Sequence, residues 1–290
     1  MLAFMSPWII GFVAFNLYPA IATLYYSFTK YDLVGQPQWV GLFNYKFMFT
    51  KDPNFWLAMR NTIWIMAVSI PLQVVFAIGC AYALTKPKRG IGVYRTIYFV
   101  PTMIPAVAAT LGFVFLLNPK GPIDAILGFL HLPQPLWFQD PFWAKPGLVL
   151  LGLWGVGQIM IIFLAALLDV PAQLYEAADL EGASGWQRFR HITLPMISPV
   201  IFFSVVTGVI YGFQYFTEGY VASGGPQNGL GAPQGSLLFY PIWLYQQGFQ
   251  YFHMGYAAAM AWVLFVIIMV CTFVLIKTSN RWVFYQGGFR

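Results

Sequence analysis

Two groups of polar residues in a largely apolar sequence have a spacing that suits recognition. The first is the charged segment 169–195, where Glu176 and Asp179 lie three residues apart and would share one face of a helix. The second is a row of hydroxyl, amide and carboxyl side chains spaced at i, i+4, i+7, i+8 and i+11. That spacing makes one stripe on a helix. Its members are Thr207, Tyr211, Gln214, Tyr215 and Glu218.

Residues with the spacing of a catalytic or metal site are missing from the sequence. It contains no G-x-x-x-x-G-K-[ST] phosphate loop, so this chain does not cradle ATP by that route. Three histidines are scattered between the apolar runs without ligand spacing, and both cysteines lie inside runs: His131, His191, His253, Cys80 and Cys271. No nucleophile–base pair stands near the end of a run. We therefore expect no enzymatic activity, and no metal or cofactor bound by this chain.

Composition places the chain in a membrane. Hydrophobic residues make up 59% of the sequence and charged residues only 8%, whereas soluble domains carry about 25% charged residues. The charges are too few to solvate a globule of this size, so much of its surface must face lipid. The net charge of +6 comes from basic residues between the apolar runs. We interpret these as topology signals and expect no nucleic-acid partner.

Six runs lack Asp, Glu, Lys and Arg and approach or exceed the roughly 20 residues that cross a bilayer. Prolines interrupt several of them, which neighbouring helices make tolerable in a membrane. The first run lacks a basic leader and is too long for a signal peptide, so we expect it to be retained. The sequence thus predicts a single all-α integral membrane domain over 1–290, with spans at 2–28, 61–84, 96–117, 147–168, 196–217 and 256–276.

The distribution of Lys and Arg predicts the orientation. Segments 85–95, 169–195 and 277–290 hold nine of the fifteen basic residues in 52 positions, whereas 29–60, 118–146 and 218–255 hold six in 99. Because positive charge favours the cytoplasmic side, we expect the first three segments and both termini to be cytoplasmic.

The segment 169–195, called here the coupling loop, is predicted to form a helix-turn-helix. Asp169 and Pro171 are expected to open its first helix, and Gly182 is expected to end it with a positive φ. A second short helix is expected from about Trp186 until Pro195 opens the fifth span. The first helix is only about three turns long. Helices shorter than about 12–15 residues are marginal in water, which indicates that a cytoplasmic partner protein holds it.

The coupling loop resembles a known family signature. Glu176-Ala177-Ala178, Gly182, Ile192 and Leu194-Pro195 have the spacing of the EAA motif of ABC importer permeases. The resemblance implies a type I ABC importer permease fold in which the first helix of the loop docks in a groove of a separate ATPase subunit. The residues that it implies for this coupling are Leu174, Glu176, Ala177, Ala178, Asp179, Gly182, Ile192, Leu194 and Pro195.

Weaker matches along the chain resemble the carbohydrate-uptake branch of that family. They include Gly41-Leu-Phe-Asn-Tyr45, Arg60-Asn-Thr62, Arg95–Pro101 and Gly224-Gly-Pro226. The closest pattern is the maltose-type first permease in a compact six-span form. The resemblance implies a second permease as heterodimer partner, two ATPase copies that bind ATP and Mg²⁺, an extracytoplasmic solute-binding protein, and the cytoplasmic membrane of a bacterium or archaeon.

The polar stripe is the candidate substrate pathway, joined by Gln158 from the fourth run. Amides, hydroxyls and aromatic faces suit a neutral sugar, and no Lys or Arg lies within a predicted span. The same polar groups also occur as interhelical hydrogen bonds in membrane bundles, and Gln73 is assigned that structural role. Other importer solutes, such as glycerol-phosphate, a polyamine or an amino acid, stay open. An ion-driven secondary transporter would carry ionisable residues in mid-span and leaves the EAA motif unexplained.

Overall fold

A computed structural model describes residues 2–86, 89–229 and 231–284 of the chain. Parts of two basic segments used above for orientation, residues 87–88 and 285–290, lie outside these ranges. Helices dominate, and the strands found in the described ranges are Thr29–Lys30 (β1) and Gln38–Trp39 (β2), paired antiparallel. The α-helices, numbered α1 to α16 in chain order, are Leu2–Phe12, Tyr18–Ser27, Phe43–Thr50, Pro53–Thr85, Ile91–Phe99, Ala106–Leu116, Pro122–Phe129, Pro141–Trp154, Gly157–Leu168, Ala172–Leu180, Gly185–Arg188, Leu194–Met196, Ser198–Phe213, Thr217–Ala222, Tyr240–Tyr245 and Met254–Ser279.

Three helical stretches in the described ranges are long and apolar enough to cross a bilayer without a break. They are Met5–Ser27, which joins α1 and α2 through a π-helical turn, and the helices α4 and α16. Helix α4 covers the predicted run 61–84 but begins at Pro53, because Asp52 caps its first turn by accepting the backbone N–H groups of Asn54 and Phe55.

Three further stretches pass the same test as bent pairs of helices. The bends measure 101° between Ile91–Met103 and α6, 48° between α8 and α9, and 62° between Gly185–Met196 and α13. The sharpest follows from Pro105, which lacks an N–H and holds Ile104 in an extended conformation. The expectation that Pro195 opens the fifth span is wrong, since Pro195 lies before the bend and α13 begins at Ser198.

Many large apolar side chains on these helices are exposed, as on Phe15, Val75 and Phe273. A soluble monomer rarely exposes apolar surface so extensively, and a bilayer solvates it. The interior is divided into two clusters. One packs α4 against α9 and α13, around Ala77, Met160 and other residues of those helices. The other lies nearer the start of α4 and joins it to the segment after α14.

Two polar side chains of α4 form hydrogen bonds with the segment after α14. The Asn61 amide donates hydrogen bonds to the carbonyl groups of Gly235 and Leu238 at 2.8 and 3.0 Å, and the Thr62 hydroxyl accepts the backbone N–H of Tyr240 at 2.8 Å. These bonds satisfy backbone groups of a segment whose backbone is not paired in a sheet or within a helix at these positions. The bundle therefore has two distinct ends: the coupling end, where residues 169–195 lie, and the opposite end, which carries the hairpin, α3 and the segment 214–253.

Candidate functional site

The coupling loop folds as two short helices joined by a tight turn. Helix α10 begins after Pro171, while Asp169 instead ends α9. At its other end the N–H of Gly182 bonds to the Asp179 carbonyl at 3.1 Å and the N–H of Ala183 to the Ala178 carbonyl at 2.9 Å. This is a Schellman motif, which requires a left-handed residue after the helix. Gly182 supplies it with φ +73°, so its predicted positive φ is confirmed.

The second half of the loop is a continuous helical stretch with a π-helical middle. Ser184 opens it with a capping box, in which the Gln187 side chain accepts the Ser184 N–H at 2.7 Å and the Ser184 hydroxyl accepts the Gln187 N–H at 3.4 Å. Residues Gly185–Arg188 are α-helical and Phe189–Thr193 form a π-helical turn before Leu194–Met196. The two caps fix where each helix of the loop ends or begins.

Two side-chain contacts tie the halves of the loop together. The hydroxyl groups of Tyr175 and Thr193 share a hydrogen bond of 2.9 Å, and Arg188 forms an ion pair with Asp179. This ion pair is not predictable from the sequence, because positions nine apart come together only through the turn at Gly182. Asp179 is thus engaged within the loop. Glu176 is exposed and has no ion pair within the described residues.

The residues of the EAA motif divide between an exposed and an inward side. Leu174, Glu176 and Ala177 are exposed on α10, and Leu180 at its end is 91% exposed. Ile192 instead packs against the cluster of α4, α9 and α13, beside Tyr175. Leu194 is exposed, and Pro195 and Ala178 are half-buried. The loop therefore exposes an apolar and acidic helix on one side and packs against the bundle on the other.

A cavity of about 440 Å³ opens between α4, α8, α9 and α13, and is called here the membrane cavity. The predicted pathway residues Gln158, Thr207, Tyr211 and Tyr215 all line it. Tyr211 is 73% exposed, and the Thr207 hydroxyl donates to the Phe203 carbonyl at 2.8 Å, which leaves its lone pairs free. The polar groups facing the cavity are uncharged amides and hydroxyls, and apolar side chains such as Ile65, Ile162 and Phe203 make up the rest of its lining.

The predicted stripe is not continuous. Helix α13 ends at Phe213, and the side chain of Gln214 turns back to donate to the Ile210 carbonyl at 2.9 Å. Glu218 lies on the separate helix α14. Neither Gln214 nor Glu218 is among the residues that line the membrane cavity. A helical spacing predicts a shared face only within one helix. Because Gln214 and Glu218 lie beyond the end of α13, they do not continue the stripe.

Two polar residues of α4 that sequence analysis did not place in the pathway complete the cavity wall. Ser69 and Gln73 line it one turn apart, on either side of Pro71. Gln73 reaches α8 closely: a Cβ added at Gly152 would lie 2.5 Å from its Nε2 atom. The sequence feature that could have indicated a cavity wall is the spacing of these two polar residues, four positions apart in an apolar run. Gln73 therefore lies on the cavity wall as well as close to α8, and its structural role stays a prediction.

Two basic residues belong to helices that contain predicted spans, although both lie outside the predicted runs themselves. Helices α4 and α8 begin before the predicted runs 61–84 and 147–168, so they include Arg60 and Lys145 near the opposite end of the bundle. The Lys145 ammonium lies 5.3 Å from the ring centre of Trp64, a cation–π distance. Neither basic residue lines the membrane cavity.

The described residues contain no group of three or more His, Cys, Asp or Glu side chains placed to hold a metal ion. His191 Nδ1 lies 3.0 Å from the Gln187 carbonyl oxygen, and His253 Nδ1 lies 2.9 Å from the Gln247 amide oxygen. The two histidines are thus at opposite ends of the bundle.

Comparison with known proteins identifies this architecture. Residues 73–285 match the family model described as binding-protein-dependent transport system inner membrane component. The chain is 42% identical to a probable ABC transporter permease protein of Bacillus subtilis (strain 168), YesP, over 98% of this chain and 92% of that protein. It is 33% identical to the arabinooligosaccharides transport system permease protein AraP of the same organism, over 96% of this chain and 87% of AraP.

A solved structure shows the same fold. The chain matches a structure of a bacterial alginate ABC transporter in complex with an alginate pentasaccharide-bound periplasmic protein, with a TM-score of 0.84 and 23% identity. The match covers 96% of this chain and 93% of that chain. The predicted all-α, type I ABC importer permease fold is confirmed.

The fold and the coupling loop define a membrane component of an ABC importer rather than a catalytic subunit. The chain belongs to the family of binding-protein-dependent transport system inner membrane components.

Proposed function

We propose that this chain is one permease subunit of an ATP-driven importer of oligosaccharides, and that the membrane cavity is its half of the translocation pathway. The observation that carries the proposal is the meeting of Gln73, Gln158, Thr207, Tyr211 and Tyr215 around one uncharged cavity. Amide and hydroxyl groups bond to sugar hydroxyls, and tyrosine rings cover the C–H faces of a sugar ring. The naming of AraP for arabinooligosaccharides supports the same solute class.

The pathway is completed by partners in this proposal. Tyr211 is highly exposed in the subunit, and a second permease facing it would enclose the solute between two such surfaces. An extracytoplasmic solute-binding protein delivers the sugar. Two ATPase copies bind ATP and Mg²⁺ and hydrolyse the nucleotide.

The coupling end is cytoplasmic in this proposal, as are both termini, in the cytoplasmic membrane of a bacterium or archaeon. Helix α10 then presents Leu174, Ala177 and Leu180 to a groove of the ATPase, with Glu176 as the exposed acid that meets a basic group. Ile192 and Pro195 belong to the part of the loop that meets the span helices. Closure of the ATPase dimer would thereby move the spans on either side of the loop.

The test uses the whole importer, reconstituted with its second permease, ATPase and binding protein. Arabinotriose and lactose should stimulate ATP hydrolysis, whereas glycerol 3-phosphate, a polyamine and an amino acid should not. Tyr211→Ala should lower stimulated hydrolysis and uptake about tenfold, and Phe273→Ala, an exposed residue on α16 away from the cavity, should leave both unchanged. Stimulation by a non-sugar solute alone, or a Tyr211→Ala variant as active as wild type, would reject the proposal.

A further inference from the structure

A second cavity lies at the opposite end of the bundle, beyond the hydrocarbon of the membrane. Helix α4 has 33 residues and is about 50 Å long, against about 30 Å of hydrocarbon. Its residues 61–85 carry no charge, and Arg60 marks the outer boundary of that stretch. The eight residues 53–60 therefore rise about 12 Å further. Residues that surround Asp52 and Pro53 lie in water at the membrane surface, on the extracytoplasmic side in the proposed orientation.

This second cavity, called here the outer pocket, has a volume of about 610 Å³. Small-molecule sites usually measure about 300–1,000 Å³. It is enclosed by the hairpin β1–β2, helix α3, the start of α4, the turn after α15 and the first turn of α16. It shares no lining residue with the membrane cavity.

Aromatic rings form the walls of the outer pocket. Phe43 and Phe47 lie one turn apart on α3, with ring centres 6.4 Å apart and planes 23° from parallel. Tyr256 meets the Phe47 ring edge-on, with centres 5.5 Å apart. Phe43 is 61% exposed even though it faces water. A contiguous exposed aromatic surface beside a cavity is typical of a ligand-binding surface.

The buried carboxylate of Asp52 fixes two of these rings. Its Oδ2 atom accepts a hydrogen bond from Trp243 Nε1 at 2.7 Å and another from the Tyr256 hydroxyl, while Oδ1 caps α4. Both carboxylate oxygens of Asp52 accept hydrogen bonds from groups of this chain, so Asp52 orients the walls of the pocket rather than the ligand. The pocket is thereby preorganised, and a ligand would not have to order it on binding.

Two amide side chains leave unused hydrogen-bonding groups on the pocket lining. Asn44 donates its amide hydrogens to the carbonyl groups of Ser27 and Thr29, both at 2.9 Å, which leaves its Oδ1 atom as an acceptor. Gln247 contacts His253 through Oε1 and has no partner for Nε2 among the described residues. Both amides are nearly buried. Their free acceptor and donor call for a ligand with hydroxyl groups, because a purely apolar occupant would leave them unpaired at a cost.

We propose that the outer pocket binds one sugar ring of the oligosaccharide before it enters the membrane cavity. The Phe43 and Phe47 rings cover the C–H face of the sugar, and Asn44 and Gln247 bond to its hydroxyl edge. The exposed ammonium groups of Lys30 and Lys51 at the rim provide further donors. This inference rests on the proposed function for its ligand class and adds a second, extracytoplasmic site to it.

The experiment measures equilibrium binding of radiolabelled arabinotriose to the permease–ATPase complex in nanodiscs without the binding protein. A Tyr211→Ala background weakens the contribution of the membrane cavity, so that the remaining binding reports mainly the outer pocket. Phe43→Ala and Gln247→Leu should each weaken this binding at least about fivefold. Phe49→Ala, the same change on the same helix but outside the pocket, should leave it unchanged. Because Phe43 is mostly exposed, its truncation leaves folding intact.

Gln247→Leu separates the sugar from other occupants. An acyl chain or an apolar peptide would bind the leucine variant equally well or more tightly, whereas a sugar loses a hydrogen bond. Absence of binding in the Tyr211→Ala background, or unchanged binding in the Phe43→Ala and Gln247→Leu variants, would overturn the proposal. The proposal would also be overturned if Phe43→Ala lost the stimulation of ATP hydrolysis by the binding protein while its sugar binding stayed unchanged. Failure of the wild-type importer to take up any sugar would instead reject the proposed function.

Discussion

Replacing Gly182 with valine tests the mechanical role of the coupling loop. The position has φ +73°, and a Cβ there would meet no atom within 4 Å. The cost of the change is therefore conformational: a branched side chain in the left-handed region costs about 1–3 kcal/mol. The Tyr175–Thr193 hydrogen bond contributes about 0.5–1.5 kcal/mol, and the exposed Asp179–Arg188 pair about 0.2–1 kcal/mol. The strain is thus comparable to what these two contacts contribute to holding α10 against the rest of the loop.

We expect Gly182→Val to displace α10 without affecting membrane insertion, since the residue lies outside the spans. ATPase association should weaken about tenfold, which corresponds to about 1.4 kcal/mol, and solute-stimulated hydrolysis should fall with it. The assay is co-purification of the ATPase together with solute uptake in the same vesicles.

Two matched variants make the interpretation specific. Gly182→Asn should retain most activity, because asparagine tolerates the left-handed region. Gly185→Ala should behave as wild type, because Gly185 has no positive φ and a Cβ there also meets no atom within 4 Å. Wild-type association and uptake in Gly182→Val, or an equal loss in Gly185→Ala, would refute the reasoning.

Three further predictions concern orientation, docking and stability. In a background without the two native cysteines, a cysteine at Gly90 should react only with cytoplasmic reagent, and one at the 95% exposed Val34 only with external reagent; the reverse pattern would invert the proposed topology. Glu176→Lys should weaken ATPase association by placing repulsion on the docking helix, with Glu176→Gln intermediate; unchanged co-purification of the lysine variant would remove Glu176 from the interface. Asp52→Ala should lower the thermal unfolding temperature of the purified complex, since it leaves a buried indole N–H and a buried phenol unpaired at about 1–3 kcal/mol each; an unchanged unfolding temperature would show that water replaces the carboxylate.

The sequence predicts the features that depend on local composition. Apolar runs place the span helices, and the left-handed turn at Gly182 follows from the spacing of the EAA motif. Side-chain contacts across the turn could not be predicted from the sequence, because the approach of Arg188 to Asp179 depends on the angle between two helices. The same holds for the Asp52 network, whose partners Trp243 and Tyr256 are about 200 positions away along the chain.

The end of a helix explains why the predicted stripe is interrupted. The stripe from Thr207 to Glu218 assumes one continuous helix, whereas α13 ends at Phe213. Gln73 was assigned a structural role because its spacing from Ser69 does not distinguish a cavity wall from an interhelical contact. Its place on the cavity wall opposite Gly152 depends on how α4 packs against α8.

ATP-dependent uptake is the measurement that tests the central claim most directly. Proteoliposomes would contain this chain, its second permease and its ATPase, with ATP inside the vesicles and the sugar-loaded binding protein outside. We predict that labelled arabinotriose accumulates above its external concentration, that a non-hydrolysable ATP analogue abolishes accumulation, and that dissipating ion gradients has no effect. Accumulation that persists without ATP hydrolysis and collapses with an ion gradient would contradict the account and indicate a secondary transporter.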